Sequence, residues 1–137
     1  MKHFLSMKQA GKETILSILE TAEWLREENF KLNKQLFAAN LFYEPSTRTN
    51  MSFHVAQRKR GLETLEFHPE VSSVQKGESL YDTVRTFESI GAQLIVVRHH
   101  EDDWFKGIQN NINVPLINAG AGKAEHPTQS MLDLLTI

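Results

Sequence analysis

The sequence has 137 residues, of which 40% are hydrophobic and 23% are charged, as is usual for a globular domain with its own core. The net charge of −2 excludes a global basic field that would attract nucleic acid, so any anion-binding site has to be local. No apolar stretch approaches the ~20 residues that a membrane span needs. The sequence contains no cysteine, which excludes disulfides and thiolate metal sites and favours the reducing cytoplasm as the compartment.

The first part of the chain predicts a helix, a strand and a second helix. Apolar residues recur at helical spacing over residues 12–28, which predicts an amphipathic helix. A short apolar run at 37–42 is typical of a buried strand. The helix predicted over 47–60 has Ser46 as its N-cap and Gly61 in the left-handed position after its last turn.

The rest of the chain continues the alternation of strands and helices. The predicted elements are a strand at 62–68, a polar loop at 69–79, a helix at 80–90, a strand at 94–97, a helix at 102–110, a strand at 114–117, a glycine-rich loop at 118–125 and a helix from 127 onward. This order indicates an α/β fold with right-handed crossovers, in which helices cover both faces of a four-stranded parallel sheet. Because the last apolar stripe stops without a helix C-terminal signal, we expect residues 1–137 to be one domain of a longer chain.

Polar and cationic side chains follow each of the four predicted strands. The carboxyl ends of parallel strands meet at one edge of a sheet, where ligands bind close to helix N-termini. The residues concerned are Ser46, Thr47, Arg48 and Thr49 after the first strand, Ser72, Ser73 and Lys76 after the second, Arg98 after the third, and His126 and Gln129 after the fourth. No acidic cluster suited to a metal accompanies them, so the sequence predicts an anion site.

Arg48 is the most informative of these residues, because it lies in the first turn of a helix. The helix dipole disfavours a cation there by roughly 0.3–1 kcal/mol, whereas the free N–H groups of the same turn attract an oxyanion. A bound dianion would more than offset the repulsion. A solvated arginine beside an ordinary Ser46 cap is the simpler alternative.

The other candidates also have simpler explanations. Arg98 could be an arginine that extends from a strand end to solvent. His126, before Pro127, could be a weak N-cap supported by Gln129. Lys76 could serve only solubility, and His99 and His100 are expected to face solvent, with no role. The glycine-rich loop at 118–125 lacks the third glycine of a dinucleotide-binding loop.

Three motifs together resemble the transcarbamoylase family. They are FYEPSTRT at 42–49, KGE at 76–78 and HPTQ at 126–129, and their order and spacing match from about residue 35 onward. Pro45 before Ser46, the KGE loop and the closing DLLTI favour the aspartate over the ornithine branch. Asn50 and Ala121 depart from the family pattern, which usually has arginine and aspartate there, and this puts the local packing in question.

The resemblance implies transfer of a carbamoyl group from carbamoyl phosphate to L-aspartate, in pyrimidine biosynthesis, with no cofactor and no metal. It implies that phosphate is held by Ser46, Thr47, Arg48 and Thr49. It implies that the carbonyl oxygen is polarised by Thr49, Arg98 and His126, and that Gln129 fixes the carbamoyl amide. Lys76 would come from a neighbouring subunit and touch phosphate and aspartate, which implies a homotrimer. The resemblance says nothing of regulatory subunits.

Three other functions remain open on the sequence. They are an ornithine carbamoyltransferase, a non-catalytic module that binds a phosphate-containing ligand, and a nucleotide- or flavin-binding domain of related fold. The family binds aspartate largely through a second domain, so residues 1–137 alone are expected to bind carbamoyl phosphate without turnover.

Overall fold

The computed structural model of the protein describes residues 3–28, 30–65, 67, 79–123 and 126–135. Helices and strands alternate along these ranges. In chain order they are α1 (Met7–Glu27), β1 (Leu36–Phe42), α2 (Thr47–Lys59), β2 (Leu62–Leu65), α3 (Leu80–Ile90), β3 (Ala92–His99), β4 (Leu116–Ala121) and α4 (Pro127–Leu135). A search of the described part finds no helix of the length and apolarity that crossing a membrane requires.

The four strands form one parallel sheet in the order β2-β1-β3-β4. The chain passes from β1 to β2 on one side and later enters β3 on the other side of β1. The direction of winding therefore reverses between β1 and β3, and in such sheets the crevice beyond the strand ends at this reversal is the usual place for a ligand. The predicted α/β fold with a four-stranded parallel sheet is confirmed.

The main hydrophobic core lies on one face of the sheet. Alternate residues of a strand point to the same face, so Leu41 of β1 and Val97 of β3 share this face with Val84 of α3, all three fully buried. On the opposite face, α2 contacts the sheet through Gln57, whose buried side-chain amide pairs with that of Asn40. Helices therefore pack on both faces, as predicted.

The segment at 101–111 is a series of turns, so the helix predicted over 102–110 is wrong. Its hydrogen bonds include Lys106 N–H to the Asp103 carbonyl (3.1 Å) and Ile108 N–H to the Phe105 carbonyl (3.0 Å), each three residues back. Asp, Asn and Gly, which favour turns over helix interiors, are frequent in this segment. The segment still covers the core, because Trp104, Phe105 and Ile108 are buried.

The boundaries of other elements differ from the prediction in both directions. Helix α1 has an extra turn before the predicted range, which starts with Ser6 accepting the Gln9 N–H (3.0 Å) as an N-cap. The backbone then breaks at Gly11 (φ 80°, ψ 164°), and the rest of α1 follows from residue 12, as predicted. Strand β2 ends at Leu65, and strand β3 extends the predicted run at both ends. Strand β4 begins two residues late and includes the first four residues of the predicted glycine-rich loop. Helices α2 and α3 match their predicted ranges to within one residue.

The N-terminal segment runs beside β4 and covers its outer edge. The Phe4 N–H donates to the Leu116 carbonyl (2.8 Å), and the Asn118 N–H donates to the Phe4 carbonyl (2.9 Å). The buried Asn118 side chain donates to the Leu5 carbonyl (2.9 Å) and accepts the Gly120 N–H (2.8 Å). These bonds explain why a polar asparagine can lie inside a strand.

Candidate anion site at the sheet edge

The turn that opens α2 presents unpaired backbone donors. Ser46 occupies the N-cap position, but its side chain makes no capping hydrogen bond. The Asn50 N–H donates to the Ser46 carbonyl (2.9 Å) as the first bond of the helix, so the N–H groups of residues 47–49 have no acceptor within α2. The exposed side chain of Arg48 adds a positive charge to this turn. Such a helix start can hold an oxyanion.

Arg98 lies inside β3, near its carboxyl end, and not after the strand as predicted. In the register of the sheet it stands beside Phe42 of β1 and Gly120 of β4. Its Nη1 donates to the Ala119 carbonyl (3.1 Å), and its Nε lies 3.8 Å from a Glu44 carboxylate oxygen. The Nε atom is buried and has no hydrogen-bond partner among the residues that the structure describes. The arginine is therefore held at two points and keeps spare donor capacity.

Gly120 makes room for the arginine. A Cβ on Gly120 would come within 2.9 Å of Arg98 Nη1 and 3.1 Å of its Cγ, and the glycine φ is +145°. The guanidinium thus lies against bare backbone. Sequence analysis placed Gly120 in a loop and gave Glu44 no role, although a glycine within a strand often signals such a close approach.

His126 forms the N-cap of α4, as its position before Pro127 predicted. Its Nδ1 accepts the Gln129 N–H (3.4 Å) and lies 3.3 Å from the Thr128 hydroxyl. Burial, with a further contribution from the positive charge of Arg98, lowers the pKa of His126 below its ordinary value. A neutral imidazole whose Nδ1 accepts a hydrogen bond has its proton on Nε2. His126 is therefore a hydrogen-bond donor through Nε2.

One cavity of about 650 Å³ joins the starts of α2 and α4. Its polar lining residues include Arg48, Thr49, His126, Thr128 and Gln129. The rest of the wall is mainly apolar and comes from α1, α2, α4 and the sheet, with Phe4, Ile18, Leu19, Ala22, Phe53, Ala56, Leu94, Leu116, Ile117 and Met131. The cavity thus offers an anion a polar corner between two helix N-termini.

Three of the four predicted strand ends therefore meet at one edge of the sheet. The starts of α2 and α4 share the cavity, and Arg98 is near enough to His126 for its charge to act on the imidazole. Ser72, Ser73 and Lys76, which were predicted to follow the second strand, lie outside the described residues.

The expectation that His99 faces solvent is wrong. Its side chain is buried, Nδ1 accepts the Glu101 N–H (3.1 Å), and the ring lies 5.0 Å from that of Tyr43. His100 is exposed, as expected. Ligand atoms of His99, His100 and Glu101 lie within 4.8 Å of one another. The two imidazoles are stacked with their centroids 4.1 Å apart.

Of the two departures from the family pattern, Ala121 has a structural explanation. Ala121 is fully buried in the main core, where a methyl group packs well and a carboxylate would need a partner. Asn50 lies in the first turns of α2, and its backbone N–H makes the first helical bond.

Comparisons with known proteins give a consistent result. A family profile described as "Aspartate/ornithine carbamoyltransferase, carbamoyl-P binding domain" matches residues 2–137. The aspartate carbamoyltransferase catalytic subunit of Oceanobacillus iheyensis is 55% identical over 139 residues, which cover 100% of this chain and 45% of that protein. The chain thus spans less than half the length of this relative.

Solved structures agree with the sequence comparison. The catalytic subunit of M. jannaschii aspartate transcarbamoylase has a TM-score of 0.90 at 44% identity, covering 100% of this chain and 46% of that one. Trypanosoma cruzi aspartate transcarbamoylase in complex with carbamoyl phosphate and aspartate has a TM-score of 0.89 at 35% identity, covering 99% and 44%.

Proposed function

The chain belongs to the aspartate/ornithine carbamoyltransferase family, as its carbamoyl-phosphate-binding domain, and on this premise we propose that it works within an aspartate carbamoyltransferase. The proposed reaction moves the carbamoyl group of carbamoyl phosphate to the amine of L-aspartate and releases N-carbamoyl-L-aspartate and phosphate, in pyrimidine biosynthesis. The observation that carries the proposal is the meeting of Arg48, Thr49, His126 and Gln129 in one cavity, beside Arg98.

The start of α2 is the proposed seat of the phosphate group. The unpaired N–H groups of residues 47–49, the hydroxyls of Ser46, Thr47 and Thr49, and the guanidinium of Arg48 supply both donors and positive charge. Charge-assisted hydrogen bonds contribute roughly 1.5–3 kcal/mol each. Two arginines and a helix terminus can therefore provide the ~8 kcal/mol of micromolar binding.

The carbonyl oxygen of the substrate is proposed to face Thr49, Arg98 and His126. As the amine attacks the carbonyl carbon, negative charge grows on this oxygen. Donors that are already in place stabilise that charge without reorganisation. The Nε2–H of a neutral His126 suits this role, the positive charge of Arg98 would add to the stabilisation, and Gln129 would hold the carbamoyl amide.

Two parts of the proposed enzyme lie beyond the described residues. Aspartate would be bound largely by a second domain, which accords with a chain that spans 45% of the Oceanobacillus iheyensis relative. Lys76 would reach the site from a neighbouring subunit of a homotrimer. The cytoplasm stays the predicted compartment.

Calorimetry on the chain of residues 1–137 tests the binding step. We expect carbamoyl phosphate to bind with higher affinity than inorganic phosphate, because only carbamoyl phosphate engages the donors at the start of α4. A nucleotide or flavin should neither bind nor compete. Tight binding of a nucleotide or flavin that carbamoyl phosphate cannot displace would refute the proposal.

The identity of the second substrate is tested on the natural gene product, whatever its length. With carbamoyl phosphate and equal amounts of aspartate and ornithine, we expect carbamoyl aspartate to form. Citrulline as the main product would indicate an ornithine carbamoyltransferase, and turnover by residues 1–137 alone would refute the need for a second domain.

A further inference from the structure

The loops that follow β3 and β4 are joined to each other by consecutive hydrogen bonds. The Gly122 N–H donates to the His99 carbonyl (2.8 Å), which continues the strand ladder by one step. The next N–H along the chain, that of Lys123, donates to Oδ1 of the Asp102 side chain (3.1 Å). A carboxylate from the loop after β3 thus takes the place of a backbone acceptor.

Gly122 fits closely against this carboxylate. A Cβ on Gly122 would overlap Asp102 Oδ1 and would come within 2.8 Å of the His100 carbonyl oxygen. A larger residue at position 122 would therefore push the carboxylate or the loop away. The neighbouring Ala121 is fully buried and offers no polar group, so the carboxylate at this loop comes from Asp102.

His126 is tethered along the chain to the contact between Asp102 and Lys123, because Lys123 precedes it by only three residues. The imidazole is tied to the start of α4 through Nδ1, which accepts the Gln129 N–H. The direction of Nε2–H is therefore set by where α4 begins.

We infer that Asp102 is a positioning residue that fixes the start of α4 and thereby gives the site its preference for carbamoyl phosphate over phosphate. This inference rests on the proposed function. In the proposed function the phosphate group is held at the start of α2, whereas the carbamoyl group needs His126 and Gln129 in place. Loosening the loop should therefore weaken the contacts to the carbamoyl group and leave the contacts to phosphate unchanged.

The test compares Asp102→Ala, Asp102→Asn and Asp103→Ala in the natural gene product by calorimetry with carbamoyl phosphate and with inorganic phosphate. In Asp102→Ala the affinity for carbamoyl phosphate should fall about tenfold, as for the loss of one positioned hydrogen bond, with phosphate affinity unchanged. Asp102→Asn keeps an oxygen acceptor for the Lys123 N–H and should restore most of the preference. Asp103 is exposed and pairs with Lys106 (3.4 Å), so Asp103→Ala is the matched control and should change neither affinity.

Gly122→Ala provides a second, independent variant, because its methyl group displaces the carboxylate without removing it. It should show the same selective loss. An unchanged carbamoyl phosphate affinity in both variants, or an equal loss for both ligands, would overturn the inference. If the unmodified protein does not bind carbamoyl phosphate more tightly than phosphate, the proposed function is refuted. If the unmodified protein has this preference and Asp102→Ala keeps it, only the inference about Asp102 is refuted.

Discussion

Arg48 lies at the N-terminus of α2, where a cation is electrostatically unfavourable; the proposed phosphate group would offset this cost. Arg48→Ala should weaken carbamoyl phosphate binding by about 1.5–3 kcal/mol, roughly ten- to 150-fold in Kd, with the fold retained. Calorimetry and circular dichroism check the two parts of this prediction. Arg58→Ala, an exposed position in the last turn of the same helix, is the control and should leave Kd unchanged. Normal binding by Arg48→Ala would contradict the phosphate assignment.

Gly120 has no side chain, and the Arg98 side chain packs directly against its backbone. Gly120→Ala should cost about 1–3 kcal/mol of unfolding free energy, because the new methyl group meets Arg98 and the φ of +145° disfavours any side chain. Carbamoyl phosphate affinity should fall as well, since the guanidinium moves. Gly107→Ala is the control, because a Cβ there meets nothing within 4 Å. Urea unfolding and calorimetry measure both effects, and equal behaviour of the two variants would argue against the close approach.

The sequence could predict those site residues that directly follow a predicted strand. The rule that ligands bind where parallel strands end pointed to Arg48, His126 and Gln129, and these line one cavity. The contribution of Glu44 depends on its distance from Arg98, 54 residues away along the chain. A local sequence pattern gives no information on the distance between residues so far apart in the chain. The prediction for His99 was wrong for the same reason, because the Tyr43 ring that packs against it comes from the bend after β1.

At the scale of elements, a buried amide pair fixes α2 against the sheet. Asn40 and Gln57 exchange two hydrogen bonds of 3.0 and 2.8 Å, and Thr64 of β2 donates to the same Gln57 oxygen (3.2 Å). Gln57→Leu should cost about 1–3 kcal/mol of unfolding free energy, because it leaves a buried amide without a partner. The midpoint of urea unfolding measures this cost.

A double-mutant cycle separates the hydrogen bonds from simple packing. Asn40→Leu combined with Gln57→Leu should be less destabilising than the sum of the single variants, because no amide is then left unpaired. Additive costs would show that the pair contributes only through its volume.

Element prediction succeeded where local signals and packing agree. Helix α3 matched its predicted range because Ser79 and Asp82 form a capping box at its start and Gly91 ends it. The range 102–110 has a helical spacing of apolar residues but lacks such caps, and tertiary packing holds it as turns. Strand β4 was misplaced because buried polar Asn118 looks like a loop residue until its partners are known.

At the scale of the whole molecule, the buried His99 and the half-buried His126 couple stability to pH. Burial lowers the pKa of both His99 and His126 below the ordinary 6.5, so the unfolded chain binds more protons than the folded chain as the pH falls below about 6.5. Stability should therefore decrease on acidification from neutral pH. Hydrogen bonds from Asn113, Val114 and Arg85 outweigh burial and lower the pKa of Glu88, whose contribution is lost only below about 4.5.

Urea midpoints between pH 7.5 and pH 5 measure this dependence. The double variant His99→Gln, His126→Gln should show a flatter curve over that interval, because glutamine does not titrate. An equally steep curve in the double variant would assign the effect to other groups.

The topology as a whole was predictable because alternating strands and helices admit few arrangements. The sheet order was not, since the chain pattern does not say on which side of β1 the third strand lies. That side decides that β1 and β3 are neighbours, and therefore that Arg98 lies beside Phe42 at the end of β1.

The bonds that Phe4 makes to β4 have a consequence for association between molecules. A bare outer strand is a template to which another chain can pair, and on this flank Phe4 already occupies the Asn118 amide and the Leu116 carbonyl. Exchange of the Asn118 amide hydrogen with deuterium should accordingly be as slow as that of interior strands. Exchange as fast as that of a surface loop would mean that the N-terminal segment detaches readily from β4. The exposed edge of β4 could then pair with a strand of another molecule.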